Sequence, residues 1–321
     1  MVDLHTHSNV SDGELSPDLL IKEAVKQGIC ALALTDHDTI KGLDSAKAAA
    51  QQENAKGNAF RFIPGIEVNI NWGGSKAACG NSHDNFHGAP GLGPGGEFHL
   101  LGLGLKSPSQ AFITAIEGLA QRREKRNREI LDRMHELSLT ISDDKAGIEA
   151  TWDELKAIAG EKGKNESLGR PHFAVYLIKH KIVKNVKQAF ARYLGVGKPL
   201  YVPKDGLSFD EAVTLIRESG GIPILAHPIS LFIAWGRLPD MIKTLKDMGL
   251  AGLEAWHPTA KPGSCRRLEA LARDLGLYVT EGSDFHGSLR PDRKIGHSSR
   301  GRKISDAVLE AIPELISSVP N

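Results

Sequence analysis

The chain has 321 residues, a quarter of them charged, and a formal net charge of +1. This balance argues against a membrane protein and against long-range attraction to nucleic acid, while leaving room for local basic clusters. No apolar run approaches the ~18 residues of a spanning helix, and the sequence enters a strand at once instead of a charged and apolar leader, so the cytoplasm is the expected compartment. Cys30, Cys79 and Cys265 are odd in number and widely spaced, which fits reduced thiols better than a disulfide framework. The length suits one large α/β domain with an insertion, or two modest domains.

Short buried strands are predicted at Val2 to Leu4, Cys30 to Leu34, Phe62 to Val68, Phe98 to Leu103, Ile222 to Ala226, Gly252 to Ala255 and Leu277 to Thr280. Between most of them lie helical patterns with start signals. Ser16-Pro17 puts proline at a first helical position, and Ser208-Phe209-Asp210-Glu211 is a capping box. Alternating strands and helices imply parallel pairing in a barrel or doubly wound sheet. Residues 108–200 break the rhythm. A long helical stretch runs through Gln121-Arg122-Arg123-Glu124-Lys125-Arg126-Asn127-Arg128, a second capping box stands at Thr151-Trp152-Asp153-Glu154, and further helical patterns end near Gly195. This reads as a helical insertion, 108–200, between barrel segments 1–107 and 201–321. The run from Gly73 to Gly96, rich in Gly, Asn, Ser and Pro, is expected to be a long mobile loop. Its Cys79, His83 and His87 have a composition around them that favours a solvated loop over a metal site.

The chemistry lies in His5-Thr6-His7, Asp12, Thr35-Asp36-His37-Asp38, Glu67, His99, Ala226-His227-Pro228 and Asp284-Phe285-His286, most of which follow a short apolar run. A histidine beside such a run is ordinarily a strand end or a satisfied core side chain. The joint pattern argues otherwise. Six histidines and three carboxylates are about twice what one catalytic zinc takes. Imidazole with carboxylate suits Zn²⁺, Mn²⁺ and Fe²⁺, so two to three divalent transition metals are expected at one rim of the sheet or barrel. Asp36 and Asp38 are left out of the ligand set: one is expected to orient His37 or to cap the next helix. His257 follows the sixth strand and belongs at the same rim, where it could donate a proton to a leaving group, bind phosphate, or be structural.

The order and wording of these segments resemble the polymerase and histidinol phosphatase (PHP) family of metal-dependent phosphoesterases. The matching motifs are Asp3-Leu4-His5-Thr6-His7 with Ser11-Asp12-Gly13, Leu34-Thr35-Asp36-His37-Asp38, Gly65-Ile66-Glu67-Val68, His99-Leu100-Leu101-Gly102, Ala226-His227-Pro228 and Gly282-Ser283-Asp284-Phe285-His286. The resemblance implies a distorted (β/α)7 barrel, the PHP fold, carrying a helical insertion. It also implies a division of ligands: His5 and His7 with Glu67 and Asp284 on a first ion, Glu67 bridging to a second ion on His99 and His227, and Asp12, His37 and His286 on a third. Two bridged cations lower the pKa of a water that attacks phosphorus, which makes Glu67 catalytic as well as a ligand.

Leu168-Gly169-Arg170-Pro171-His172-Phe173-Ala174 looks like the segment with which nucleotide-hydrolysing members of that family cover the site. Arg170 suits a bidentate phosphate grip with His172 as partner. Arg123 and Arg126, three apart on one helix, are placed to reach a second phosphate, against the plain alternative of a solvated basic face. The expected activity is hydrolysis of a phosphomonoester of a small phosphorylated nucleotide, a 3′,5′-nucleotide bisphosphate above all. Alternatives are a 5′-3′ exonuclease on short RNA or oligonucleotides and a histidinol-phosphate phosphatase. A non-catalytic binding module is disfavoured by the full ligand set, and nothing in the sequence calls for an obligate protein partner or a membrane.

Overall fold

The computed structural model describes residues 1–71, 96–140, 145–160, 168–203 and 205–317. Cys79, His83 and His87, with the Gly73–Gly95 part of the expected loop, lie outside the described residues. Each predicted strand forms. In chain order the elements are β1 (Val2–Thr6), α1 (Pro17–Lys26), β2 (Ala31–Leu34), α2 (Leu43–Ala55), β3 (Arg61–Asn69) and β4 (His99–Leu103). Then come helices α3 (Gln110–Glu136), α4 (Lys145–Gly160), α5 (Arg170–Lys179) and α6 (Val186–Ala189), the last running into a π turn at Phe190–Leu194. The chain returns through α7 (Phe209–Glu218), β5 (Ile222–Leu225), α8 (Leu238–Asp247), β6 (Gly252–Trp256), α9 (Pro262–Asp274) and β7 (Tyr278–Glu281), and ends in α10 (Ala307–Glu310) and α11 (Pro313–Ser317).

The seven strands form one sheet in sequence order. The sheet closes on itself: Thr6 and Phe285 form a parallel bridge, and the Asp284 amide donates to the His5 carbonyl at 2.9 Å. The fold is thus a distorted α/β barrel. The expectation of parallel pairing needs one correction, because β4 runs antiparallel to both β3 and β5. Reversal carries the start of β4, at His99, to the rim where neighbouring strands end: His99 pairs with Asn69, and its carbonyl accepts the Ala226 amide at 3.2 Å.

Strand alternation decides what fills the barrel. Val2, Leu4, Ala31, Ala33, Ile63, Leu101, Leu103, Ile222 and Ile224 share an interior cluster, closed at one end by Ile304, Ile312 and Leu315. The opposite phase of the strands packs under the surrounding helices, as Ile66, Val68, Leu100, Leu225 and Leu253 do. Continuing the interior columns Ile63-Gly65-Glu67 and Leu103-Leu101-His99 delivers Glu67 and His99 to the mouth. Irregularities place the others. One extra residue in β1 between Asp3 and Thr6 switches the phase, so His5 and His7 follow inward-facing Val2 and Leu4. A similar shift in β6 between Glu254 and Trp256 brings His257 to the mouth while Trp256 joins the outer core.

The helices between β4 and β5 have a core of their own, built on Ile130, Leu131, Trp152, Phe173, Tyr176 and Leu177. Here a second correction applies. Thr151 caps nothing, since α4 starts at Lys145; its hydroxyl lies instead at the Tyr176 phenol inside this core. Ser208 does cap α7, accepting the Glu211 amide at 3.3 Å.

Candidate metal centre

At the mouth, Glu67 is 1% exposed and ringed by imidazoles. Its Oε1 lies 2.7 Å from His99 Nδ1 and 2.9 Å from His227 Nε2, while its Oε2 lies 3.0 Å from His37 Nδ1, 3.2 Å from His7 Nε2 and 3.3 Å from His5 Nε2. Asp284 Oδ1 faces His7 Nε2 at 3.2 Å and His286 Nδ1 at 3.4 Å, and Asp12 Oδ1 faces His286 Nε2 at 3.2 Å. The structure therefore gathers all of His5, His7, Asp12, His37, Glu67, His99, His227, Asp284 and His286 in one place.

The donor atoms converge on common points more than they satisfy one another. Two ring nitrogens, His5 Nε2 and His7 Nε2, stand 3.1 Å apart. His7 Nδ1, His37 Nδ1 and Glu67 Oε2 are buried without a hydrogen bond. Among the described residues three sets have ligand atoms within 4.8 Å of one another: His7, Asp12, His37 and His286; His5, His7 and Glu67; and His37, Glu67 and His99. His7 and His37 belong to two sets each, where the family resemblance implies separate ones, because each ring presents a nitrogen to either side. Burial opposes ionisation of the carboxylates, yet the surrounding imidazoles and Arg293 outweigh it. Glu67 is held well below the usual carboxylate range by His37, His99 and His5, Asp12 by His286 and His37, and Asp284 by Arg293 and His5. Ionised carboxylates among imidazoles are a donor set that fits borderline divalent ions.

Sequence reasoning misses two supports. Glu254, buried in β6, accepts from His5 Nδ1 at 2.9 Å and from the His227 amide at 2.7 Å, leaving His5 Nε2 facing the cluster. A lone carboxylate inside an apolar strand is the signal for it. Glu254→Gln should weaken metal binding about 10- to 100-fold in a chelator competition while the fold persists; unchanged affinity would reduce Glu254 to a packing role. Arg293 is the other, bonded to the Asp284 carboxylate and to its carbonyl, and no motif announces it.

Asp36 and Asp38 neither orient the His37 ring nor cap α2, whose first turn has no side-chain cap. Asp36 binds the Ser8 amide at 2.8 Å and the Ser8 and Ser11 hydroxyls at 2.6 Å, shaping the turn that presents Asp12. Asp38 receives the Asn69 amide at 2.8 Å and pairs with Arg123. His257 is 2% exposed. The Thr259 amide donates to its Nδ1 at 3.2 Å, which assigns the ring proton to Nε2, 3.0 Å from Asp284 Oδ2.

Beside the mouth stand residues of α3 and α5. Arg170 pairs with Glu97 at 2.9 Å and lies over the Tyr201 ring. The basic run on α3 divides: Arg122 and Arg128 are nearly half exposed, whereas Arg126 is 7% exposed, and its Nε and Nη1 have no hydrogen-bond partner. Burial, together with Arg123 and Arg170 nearby, pushes the Arg126 guanidinium down to about 9. His172 accepts the Gly169 amide on Nδ1 at 2.9 Å, leaving buried Nε2 without a hydrogen bond; burial lowers its pKa, so the ring is a neutral donor.

Imidazoles and carboxylates set on strand ends in a barrel mouth define a class of metal-dependent hydrolases. The PHP domain model matches residues 3–166, and the chain belongs to this family, as a hydrolase of phosphate esters. A 5′-3′ exoribonuclease of Haemophilus influenzae is 32% identical over 284 residues, covering 88% of this chain and 89% of that one. A 3′,5′-nucleoside bisphosphate phosphatase of Chromobacterium violaceum is 30% identical over 297 residues, covering 92% and 91%. Among solved structures, a Bifidobacterium adolescentis protein assigned to the metal-dependent phosphoesterases superposes with a TM-score of 0.72 at 25% identity, covering 98% of this chain and 96% of its own. No described helix is long and apolar enough to cross a membrane.

Proposed function

We propose that this chain removes a phosphate from a small phosphorylated nucleotide, and that a 3′,5′-nucleotide bisphosphate is the preferred substrate. The observation that carries the reading is Arg126, a guanidinium buried without a hydrogen bond on two nitrogens and flanked by Arg123 and Arg170. Asp38 and Glu97 are also near, but they pair with Arg123 and Arg170, so Arg126 is a buried cation whose cost falls when a further anion completes the site. A phosphate outside the metal cluster does so, and a bisphosphate has one to spare.

In this reading His5, His7, Asp12, His37, Glu67, His99, His227, Asp284 and His286 hold two to three Mn²⁺, Fe²⁺ or Zn²⁺ ions. When bound, such ions polarise the phosphoryl group and lower the pKa of water. Glu67 serves both sides of the cluster, one carboxylate oxygen to each. His257 holds Asp284 in orientation through Nε2–H, so its contribution is positioning, and proton donation to a leaving group would first require release of that bond. Arg170 exchanges Glu97 for a substrate phosphate, with His172 Nε2–H as a second donor and residues 108–200 as the covering domain.

The 5′-3′ exoribonuclease reading rests on the Haemophilus influenzae relative and differs in the length of substrate accepted. A product-release assay of metal-loaded protein separates the two, using nucleoside bisphosphates, mononucleotides, histidinol phosphate and short 5′-phosphorylated RNAs. The highest kcat/KM is expected on a 3′,5′-bisphosphate. Preferred release of mononucleotides from RNA would transfer the assignment to the second reading, and turnover of none of them would leave a binding module.

A further inference from the structure

Between the barrel rim and helices α3 and α4 lies a cleft of about 650 Å³. Its barrel side includes His37 and Lys41, and its helical side Arg128, Trp152 and Lys156. The Arg128 guanidinium is laid over the Trp152 ring, 4.3 Å from its centroid, and its side chain is 45% exposed. Trp152 itself is 5% exposed, so the core fixes the ring and the ring fixes the guanidinium. This makes a flat, cationic platform, a surface on which nucleobases stack.

The cleft is lined by His37, a member of the candidate metal centre, whereas Arg170 is not among its lining residues. It holds far more than one phosphoryl group needs. Arg128 is paired with Glu149 at 3.4 Å and Glu124 at 3.7 Å, and Lys156 with Asp153 at 2.8 Å. These are solvent-facing pairs of small net worth, readily exchanged for a phosphodiester.

We propose that this cleft binds the nucleotide that follows the scissile phosphate in a single-stranded oligonucleotide, its base stacked on Arg128 and its phosphodiester beside Lys156. The inference rests on the phosphoesterase reading above and extends it to a chain longer than one nucleotide. Arg128 and Lys156 are exposed, so their substitution leaves the cores intact, which a melting curve verifies.

The test is fluorescence anisotropy with a 3′-labelled, 5′-phosphorylated tetraribonucleotide and an abasic counterpart, on wild type, Arg128→Ala and Lys156→Glu. Each variant should raise Kd for the base-bearing oligonucleotide roughly tenfold or more, and wild type should bind the abasic strand more weakly by a similar factor. In parallel, kcat/KM should fall at least about tenfold further on the oligonucleotide than on a nucleoside bisphosphate. Equal losses on both substrates, no loss on either, or equal binding of the abasic strand would overturn the assignment. Turnover of neither substrate by wild type would instead sink the phosphoesterase reading, while the anisotropy still decides the cleft.

Discussion

Glu67→Ala is expected to lower kcat/KM by several orders of magnitude and to reduce bound transition metal by more than one ion per chain on elemental analysis. Five imidazoles approach this carboxylate, His99 and His227 at one oxygen and His5, His7 and His37 at the other. Removing it takes the negative charge from both sides of the cluster, so the loss cannot be confined to one ion. Glu67→Gln keeps the volume and one acceptor oxygen, and should still lose metal, which separates charge from packing. Metal content at the wild-type level in either variant would remove Glu67 from the centre and dismantle the proposed arrangement.

Arg126→Met should move stability and activity in opposite directions. In the ligand-free protein the guanidinium is buried beside Arg123 and Arg170, and an apolar side chain of similar length relieves that cost, raising stability by about 1 kcal/mol or more in denaturant unfolding. Against a nucleoside bisphosphate the same change should cost about 2–4 kcal/mol in kcat/KM, and clearly less against a mononucleotide with a single phosphate. A destabilised variant with equal losses on both substrates would mark Arg126 as structural. Such a trade is expected where a residue is retained for binding at the expense of the fold.

Much of this centre was legible in the sequence because ligand chemistry is local: His5, His7, Asp12, His37, Glu67, His99, His227, Asp284 and His286 all converge at one rim. What stayed hidden depends on register and direction. The reversal of β4 has a trace, since His99 precedes its apolar run whereas most of the other groups follow theirs, but a period of two reads the same both ways. The added residues in β1 and β6 are invisible to alternation for the same reason, although they decide that His5 and His257 face the mouth. Arg293 reaches Asp284 from an irregular segment, where no periodicity exists to read. Thr151 misled because a capping box is a local signature, whereas the helix there is set by a core shared with Tyr176.

The seam between β1 and β7 also bears on how the protein is made. His5 belongs to β1 whereas Asp284 and His286 follow β7, and the barrel closes where Thr6 meets Phe285. During translation the imidazoles of β1 therefore wait, without Asp284, until β7 and the segment after it have left the ribosome. The complete cluster can form only once both sides of this seam have been made, so chains truncated before β7 lack the full set of groups that the chemistry needs.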